Sequence, residues 1–114
     1  MESLDVNNVC LFGTATRTTT LLTIYLLQET HPTEIARAIE VSVSQARKAI
    51  DSLERAGVVV GGYEGRSRRV RLNPRAAYLA ELQSLLARLA ASHPELIGRL
   101  ETARRRPRRA GKAV

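Results

Sequence analysis

Four arginines, Arg66, Arg68, Arg69 and Arg71, fall within six residues, flanked by Gly61, Gly62 and Gly65 and by Tyr63, which is placed to pack on a sugar. Like charges crowded on so short a segment repel unless an anion offsets them, and guanidinium groups suit phosphate. A second polar set, Ser44, Gln45, Arg47 and Lys48, lies on and beside the helix face opposite an apolar stripe. Gln can pair bidentately with adenine and Arg or Lys with guanine, while Ser contacts bases or phosphates with little discrimination. Thr33 and Ser42 are added as candidate phosphate contacts. This is binding chemistry. No nucleophile, base and orienting group form a recognisable constellation, so no enzyme is expected. Cys10, His31 and His93 are far apart and show no metal-ligand spacing, so no metal or cofactor is expected.

The charge balance names a class of partner. Eighteen bases stand against eleven acids, net +7. Residues 1–54 hold four bases and seven acids, net −3, whereas residues 55–114 hold fourteen bases and four acids, net +10. A polyanion is the natural partner for the second half. Phe12, Tyr25, Tyr63 and Tyr78 are the only aromatics. A platform for stacking unpaired bases is therefore not expected, and duplex DNA is favoured over unpaired RNA. The length of 114 residues suits one domain. The longest apolar stretch, Leu21 to Leu27 interrupted by Thr23, falls far short of the roughly 20 residues that span a bilayer. Two acids and no base precede Arg17, the reverse of a leader peptide, and the lone Cys10 cannot form an internal disulfide, so the expected compartment is the cytoplasm.

Periodicity supplies the elements that must hold these groups. Leu21, Leu22, Ile24, Tyr25 and Leu26 recur at helical spacing within Thr14 to Glu29, a first helix stopped by Pro32. A short second helix fits Pro32 to Glu40, with Ile35, Ala36 and Ile39 on one face. Ser42 and Gln45 have the spacing of a capping box, so a third helix begins at Val43 and runs to about Ala56, closed by Gly57. Val58 to Val60 and the alternation of Arg69, Val70, Arg71 and Leu72 predict two antiparallel strands, with Gly61 to Arg66 as the turn. Asn73 and Pro74 have the form of an N-cap and first helical residue. A long helix then carries Leu79, Leu82, Leu86 and Leu89. This stripe is expected at a dimer interface; the alternative is that it folds back over its own core. Ser92 and Glu95, again spaced as a capping box, predict a further helix through Leu96, Ile97 and Leu100. The Arg-rich stretch after Arg104 has no apolar partner and is expected to be disordered when free.

The fold class is thus mainly α with a small β-hairpin. Leu11 to Arg17, Pro32 to Ala36, Val41 to Ala46 and above all Leu53 to Val59, "LERAGVV", joined to the hairpin and "RLNP", resemble the ArsR-like and MarR-like transcriptional regulators of bacteria and archaea over about residues 11 to 90. The resemblance implies a winged helix-turn-helix plus a long C-terminal helix, in a homodimer that binds operator DNA. Its third helix would enter the major groove and its hairpin wing lie over an adjacent minor groove or backbone. The cysteines that metal-sensing members carry near the recognition helix are missing here. The expected organisation is an N-terminal arm (1–13), a DNA-binding domain (14–74), dimerisation helices (75–103) and a basic tail (104–114) that adds sequence-indifferent affinity. No pocket-forming set of residues points to an effector. The alternatives are a protein-interaction adaptor or antitoxin-like partner, disfavoured by the charge split, and a structured-RNA binder, mildly disfavoured by the scarcity of aromatics.

Overall fold

The computed structural model describes residues 11–105. The expectations for Cys10, for the first ten residues of the arm and for the tail beyond Arg105 lie outside it. Five helices and one hairpin follow in order: α1 (Ala15–Leu27), α2 (Pro32–Ile39), α3 (Val43–Arg55), β1 (Val59–Glu64), β2 (Ser67–Leu72), α4 (Leu79–Ala90) and α5 (Pro94–Arg105). Among the described residues no helix is long and apolar enough to cross a membrane.

Helix α1 is the central post, packed against α2, α3, α4 and β2. Leu21, Leu22 and Ile24 are fully buried, and so are Thr20 and Thr23. Threonine is a mediocre helix former, yet its hydroxyl can bond the carbonyl one turn back. Thr18 donates to Thr14 O at 2.9 Å, Thr19 to Ala15 O at 2.8 Å and Thr23 to Thr19 O at 2.8 Å, so these hydroxyls are satisfied without water. Thr20 Oγ1 has no such partner among the described residues. The helix ends at Leu27 because Gln28 turns to a positive φ of 73°, its side chain donating to Tyr25 O. The stop therefore comes before Pro32 is reached.

The freed chain does something periodicity did not show. Thr30 donates to and accepts from Val70 at 3.0 and 2.9 Å, forming a one-residue antiparallel bridge on the second edge of β2. His31 then caps α2, its Nδ1 accepting from Glu34 N, with Pro32 at the first position. Glu40, at a left-handed φ of 61°, ends α2. The capping box of Ser42 and Gln45 opens α3, and Gly57, at φ 80°, closes it. The α2 to α3 segment thus follows the expected boundaries within one residue.

The hairpin is longer and tighter than expected. Val59 pairs with Leu72 and Glu64 with Ser67, leaving only Gly65 and Arg66 as the turn. Gly65 has φ 64°, the conformation that two-residue hairpin turns ask of glycine. Gly61 and Gly62 belong to the strand. A Cβ on Gly61 would lie 2.5 Å from Glu54 Oε2, the flexible end of a side chain that would have to shift, and 3.0 Å from the Arg69 carbonyl of β2, so the space over this strand position is taken up by the Glu54 carboxylate.

Two expected helix starts are corrected. Asn73 does not cap a helix: its side chain donates to Gly57 O and accepts from Arg75 N, and it ties the foot of the hairpin to the end of α3. The chain passes through turns to α4, which starts at Leu79. Ser92 belongs to the turn closing α4, its amide bonded to Leu89 O, and α5 starts at Pro94 beneath the His93 carbonyl. The leucine stripe is corrected too. Leu82 and Leu86 are 7% and 0% exposed within the chain's own core, and Leu89 is partly buried against it, so α4 folds back on α1. Leu79 is half-buried, and Leu85, outside the expected set, is the exposed leucine of α4.

Helix α5 inserts Leu96 and Leu100 into the same core and is fastened to α2 by Arg104. Its guanidinium donates to Glu34 Oε2 at 2.8 Å and Oε1 at 3.1 Å, and to Glu29 O at 3.0 Å. Burial pushes the Glu34 carboxyl up, but hydrogen bonds from Arg104 and Thr30, with the Arg104 and His31 charges, outweigh it and hold it below the usual 4.5.

Two stability measurements test this packing. Thr20→Val keeps the branched shape and removes an unpaired buried hydroxyl, so it should leave stability unchanged or raise it by up to about 1 kcal/mol in urea unfolding, whereas Leu86→Ala should cost about 2–5 kcal/mol. Because the Glu34 pKa is depressed in the folded state, its contribution is present above pH 4.5 and lost as pH falls through the lower folded value. Glu34→Gln should therefore lower the melting temperature at pH 7 and converge with the parent in acid.

Candidate nucleic-acid interface

The two polar sets are brought together by one ion-pair cluster. In β2, Val70 and Leu72 point inward, and strand alternation sends Arg68 the same way. Its Nη2 lies 2.8 Å from Asp51 Oδ1 and 3.0 Å from Glu54 Oε1, both on α3. Asp51 and Glu54 are one helical turn apart and so share a face. Burial alone would lower the Arg68 pKa, but hydrogen bonding to Asp51 and the charges of both acids raise it above its usual value. The hairpin is thereby pinned along α3.

Beside the pin lies a cleft of about 400 Å³ with contributions from three elements. Pro32 and Thr33 come from the first turn of α2, Arg47 from α3, and Tyr63, Arg66 and Arg69 from the hairpin, with His31 at the rim. Arg47 and Arg66 are exposed, and Tyr63 is 74% exposed. Two exposed guanidinium groups, a hydroxyl and an aromatic edge converge here. Such a set can hold a phosphate oxygen and its sugar.

Placed one by one, the expected residues divide. Ser44, Gln45, Arg47 and Lys48 are all exposed on the first half of α3, as expected. Ser42 and Gln45 are engaged with each other: Ser42 N donates to Gln45 Oε1 at 3.1 Å and Gln45 N to Ser42 Oγ at 3.0 Å. Gln45 thus spends its carbonyl oxygen on the cap, leaving Ser44, Arg47 and Lys48 as the uncommitted groups of the helix face. Arg68, expected on phosphate, is instead the pin, with its side chain 17% exposed. Arg69 and Arg71 alternate onto the opposite face of the sheet and, with Arg75, Asn73 and Pro74, line a second cleft of about 620 Å³, Arg69 bordering the first cleft as well. Arg69 Nε, 3.4 Å from Glu64 Oε1, is attracted to that carboxylate without a hydrogen bond's alignment. The four arginines of the hairpin are therefore spread over three places, Arg66 at the cleft, Arg68 in the pin and Arg71 on the outer face, with Arg69 bordering both clefts.

His31, the α2 cap that also rims the cleft, was missed as a site residue, and so was the role of Asp51 and Glu54. The latter was readable: Arg68 shares its parity with Val70 and Leu72, which marks it as inward and in need of acids. Among the described residues no group of three His, Cys, Asp or Glu is placed to hold a metal ion. Comparison of the sequence with protein-family models and with curated proteins finds no match.

Arg68→Gln should release the hairpin from α3. With Asp51 and Glu54 half-exposed the loss of stability should be about 1 kcal/mol or less, while amide exchange in β1 and β2 speeds up. Arg69→Gln, facing away, should leave exchange near the parent rate.

Proposed function

We propose that this chain is a winged helix-turn-helix protein that binds double-stranded DNA and acts as a homodimeric transcriptional regulator. The observation that carries the reading is the Arg68 pin, which sets the exposed start of α3 and the hairpin tip side by side around one cleft. In this reading α2 and α3 form the helix-turn-helix, with α3 entering the major groove by its first half. There Ser44, Arg47 and Lys48 reach base edges, and the free amides of the helix start face phosphate. The pin also makes this placement electrostatically acceptable. Asp51 and Glu54 would repel a phosphate backbone, and Arg68, one positive charge against two negative, offsets part of that repulsion before DNA arrives.

The hairpin is the wing. Arg66 at its tip and Tyr63 beside it meet the backbone, and Thr33 at the start of α2 supplies a further phosphate contact. Duplex DNA is preferred to unpaired RNA because Tyr63 and the His31 ring are, among the described residues, the aromatic groups at the cleft, too few for a platform on which successive bases stack. Dimerisation is proposed through apolar groups that remain uncovered, Leu85 and Tyr78, 40% and 44% exposed, and not through Leu82 and Leu86. Two copies would then set two α3 helices about one DNA turn apart.

Fluorescence anisotropy with labelled duplex at several salt concentrations tests the reading. Arg47→Gln and Arg66→Gln should each weaken binding and reduce the log-log salt slope by about 0.9 for every phosphate that a subunit no longer neutralises. Arg88→Gln, on α4 away from the cleft, should change neither. Equal binding by parent and by the Arg47→Gln, Arg66→Gln double variant would refute the interface. Sedimentation of the parent and of Leu85→Glu reads the oligomeric state, with the variant expected as monomer.

A further inference from the structure

The outer face of the hairpin is hollow. Strand register sends Val60, Gly62 and Glu64 of β1 and Arg69 and Arg71 of β2 to that face, with Gly62 opposite Arg69 and Val60 opposite Arg71. A Cβ on Gly62 would meet nothing within 4 Å, and its φ lies outside the left-handed region, so the missing side chain leaves open space that no turn requires. Glu29, Asn73, Pro74 and Arg75 complete the walls of a cleft of about 620 Å³, within the size range of small-molecule sites. The sequence alone singles out no such pocket because its walls come from three separate stretches of chain.

Three guanidinium groups line this cleft, and none is well paired. The exposed side chains of Arg71 and Arg75 have no hydrogen bond or ion pair among the described residues. Arg69 meets Glu64 at 3.4 Å without alignment, and its buried Nε finds no acceptor. Arg75 is nevertheless held in place: its amide donates to Asn73 Oδ1 at 2.9 Å, while Asn73 Nδ2 donates to Gly57 O. Two carboxylates, Glu29 and Glu64, also line the cleft. A duplex strand, with its continuous row of charges, would be repelled by them, whereas a compact anion can meet the arginines and present hydroxyl donors to the acids. A phosphate monoester carries close to two negative charges and three acceptor oxygens at pH 7, enough for two guanidinium forks, where a single carboxylate fills one.

We infer that the outer cleft is a binding site for a small hydroxylated phosphate monoester, its phosphate held by Arg71 and Arg75 with Arg69 beside them. The body of the ligand fills the space over Gly62 and turns hydroxyls to the carboxylates. This site does not require the proposed function. Where that function holds, the two occupants are linked, because Arg69 and Tyr63 border both clefts. A phosphate that draws Arg69 to the outer side weakens the duplex, and by reciprocity the duplex weakens the phosphate. The ligand then acts as an effector that loosens the wing's hold on DNA.

The experiment titrates the full chain with ribose 5-phosphate, inorganic phosphate and succinate, the last a dianion without phosphate, by calorimetry and by amide chemical shifts. Ribose 5-phosphate should bind the parent with a Kd of about 1 mM or lower and more tightly than the other two, with shifts centred on residues 60–64 and 69–75. The Arg71→Gln, Arg75→Gln double variant should weaken it about tenfold or more. The Arg47→Gln, Arg66→Gln double variant, altered in the inner cleft, should stay within about twofold of the parent. Gly62→Ile fills the hollow without changing any charge and should weaken ribose 5-phosphate more than inorganic phosphate. Thermal melts verify that each variant is folded. In duplex anisotropy at matched ionic strength, saturating ribose 5-phosphate should weaken duplex binding by the parent about fivefold or more relative to succinate, and should have no such effect on Gly62→Ile.

No saturable binding of ribose 5-phosphate by the parent overturns the inference, and so does binding that Gly62→Ile and the Arg71→Gln, Arg75→Gln double variant leave unchanged. Binding lost only in the Arg47→Gln, Arg66→Gln double variant overturns it as well, because the phosphate would then sit in the inner cleft. Succinate binding as tightly as ribose 5-phosphate overturns the choice of phosphate. An unchanged duplex affinity removes the link between the clefts. A parent that binds ribose 5-phosphate in the outer cleft but no duplex removes the proposed function and leaves this site standing, whereas failure of the outer site leaves the proposed function to its own test.

Discussion

One guanidinium sets the relation between the two halves of the candidate interface. Arg68 lies under the hairpin with most of its side chain covered, and both of its acidic partners belong to α3. The pair energies are modest at this degree of exposure. Their consequence is geometric: a two-stranded hairpin is marginal on its own, and its tilt relative to a neighbouring helix is free unless something fixes it. Gly61 completes the arrangement by leaving room for the Glu54 carboxylate over the strand. Asn73 secures the foot of the hairpin to the end of α3 through the Gly57 carbonyl. Tip, middle and foot are thus constrained separately, by turn, ion pair and hydrogen bond.

The legible part of the molecule is the part governed by local rules. The α2 to α3 segment could be read almost to the residue because Pro32, Ser42, Gln45 and Gly57 each act on their immediate neighbours. Signals whose cause is tertiary were misread. Gly61 and Gly62 resemble a loop, yet both are strand residues, paired with Val70 and Arg69 of β2. Asn73 and Pro74 have the form of a helix start, but the Asn side chain is drawn to Gly57, sixteen residues earlier. The leucines of α4 indicate an apolar face without saying what covers it, and α1 does so within the same chain. In the candidate site, exposure of the α3 polar face was readable; the division of the hairpin arginines among cleft, pin and outer face required the strand register.

Helix α1 shows how a sequence of middling helical propensity can serve as a central post. Its threonines return their hydroxyls to the backbone and leave their methyl groups for packing, so the helix is buried on several sides without stranded polar atoms, Thr20 excepted. Leu21, Leu22 and Ile24 then bind the remaining elements into one core.

The bridge from Thr30 to Val70 matters beyond its two hydrogen bonds. It covers the free rim of β2 at Val70, so that this residue is flanked on one side by β1 and on the other by a residue that leads directly into α2. Open rims are where foreign chains add themselves and where intermolecular ribbons nucleate. Here the inward apolar residue of β2, Val70, is covered at the point where a stranger's backbone would dock. The outer rim of β1 has no such cover among the described residues, so of the hairpin's two rims it is the one left for a foreign strand.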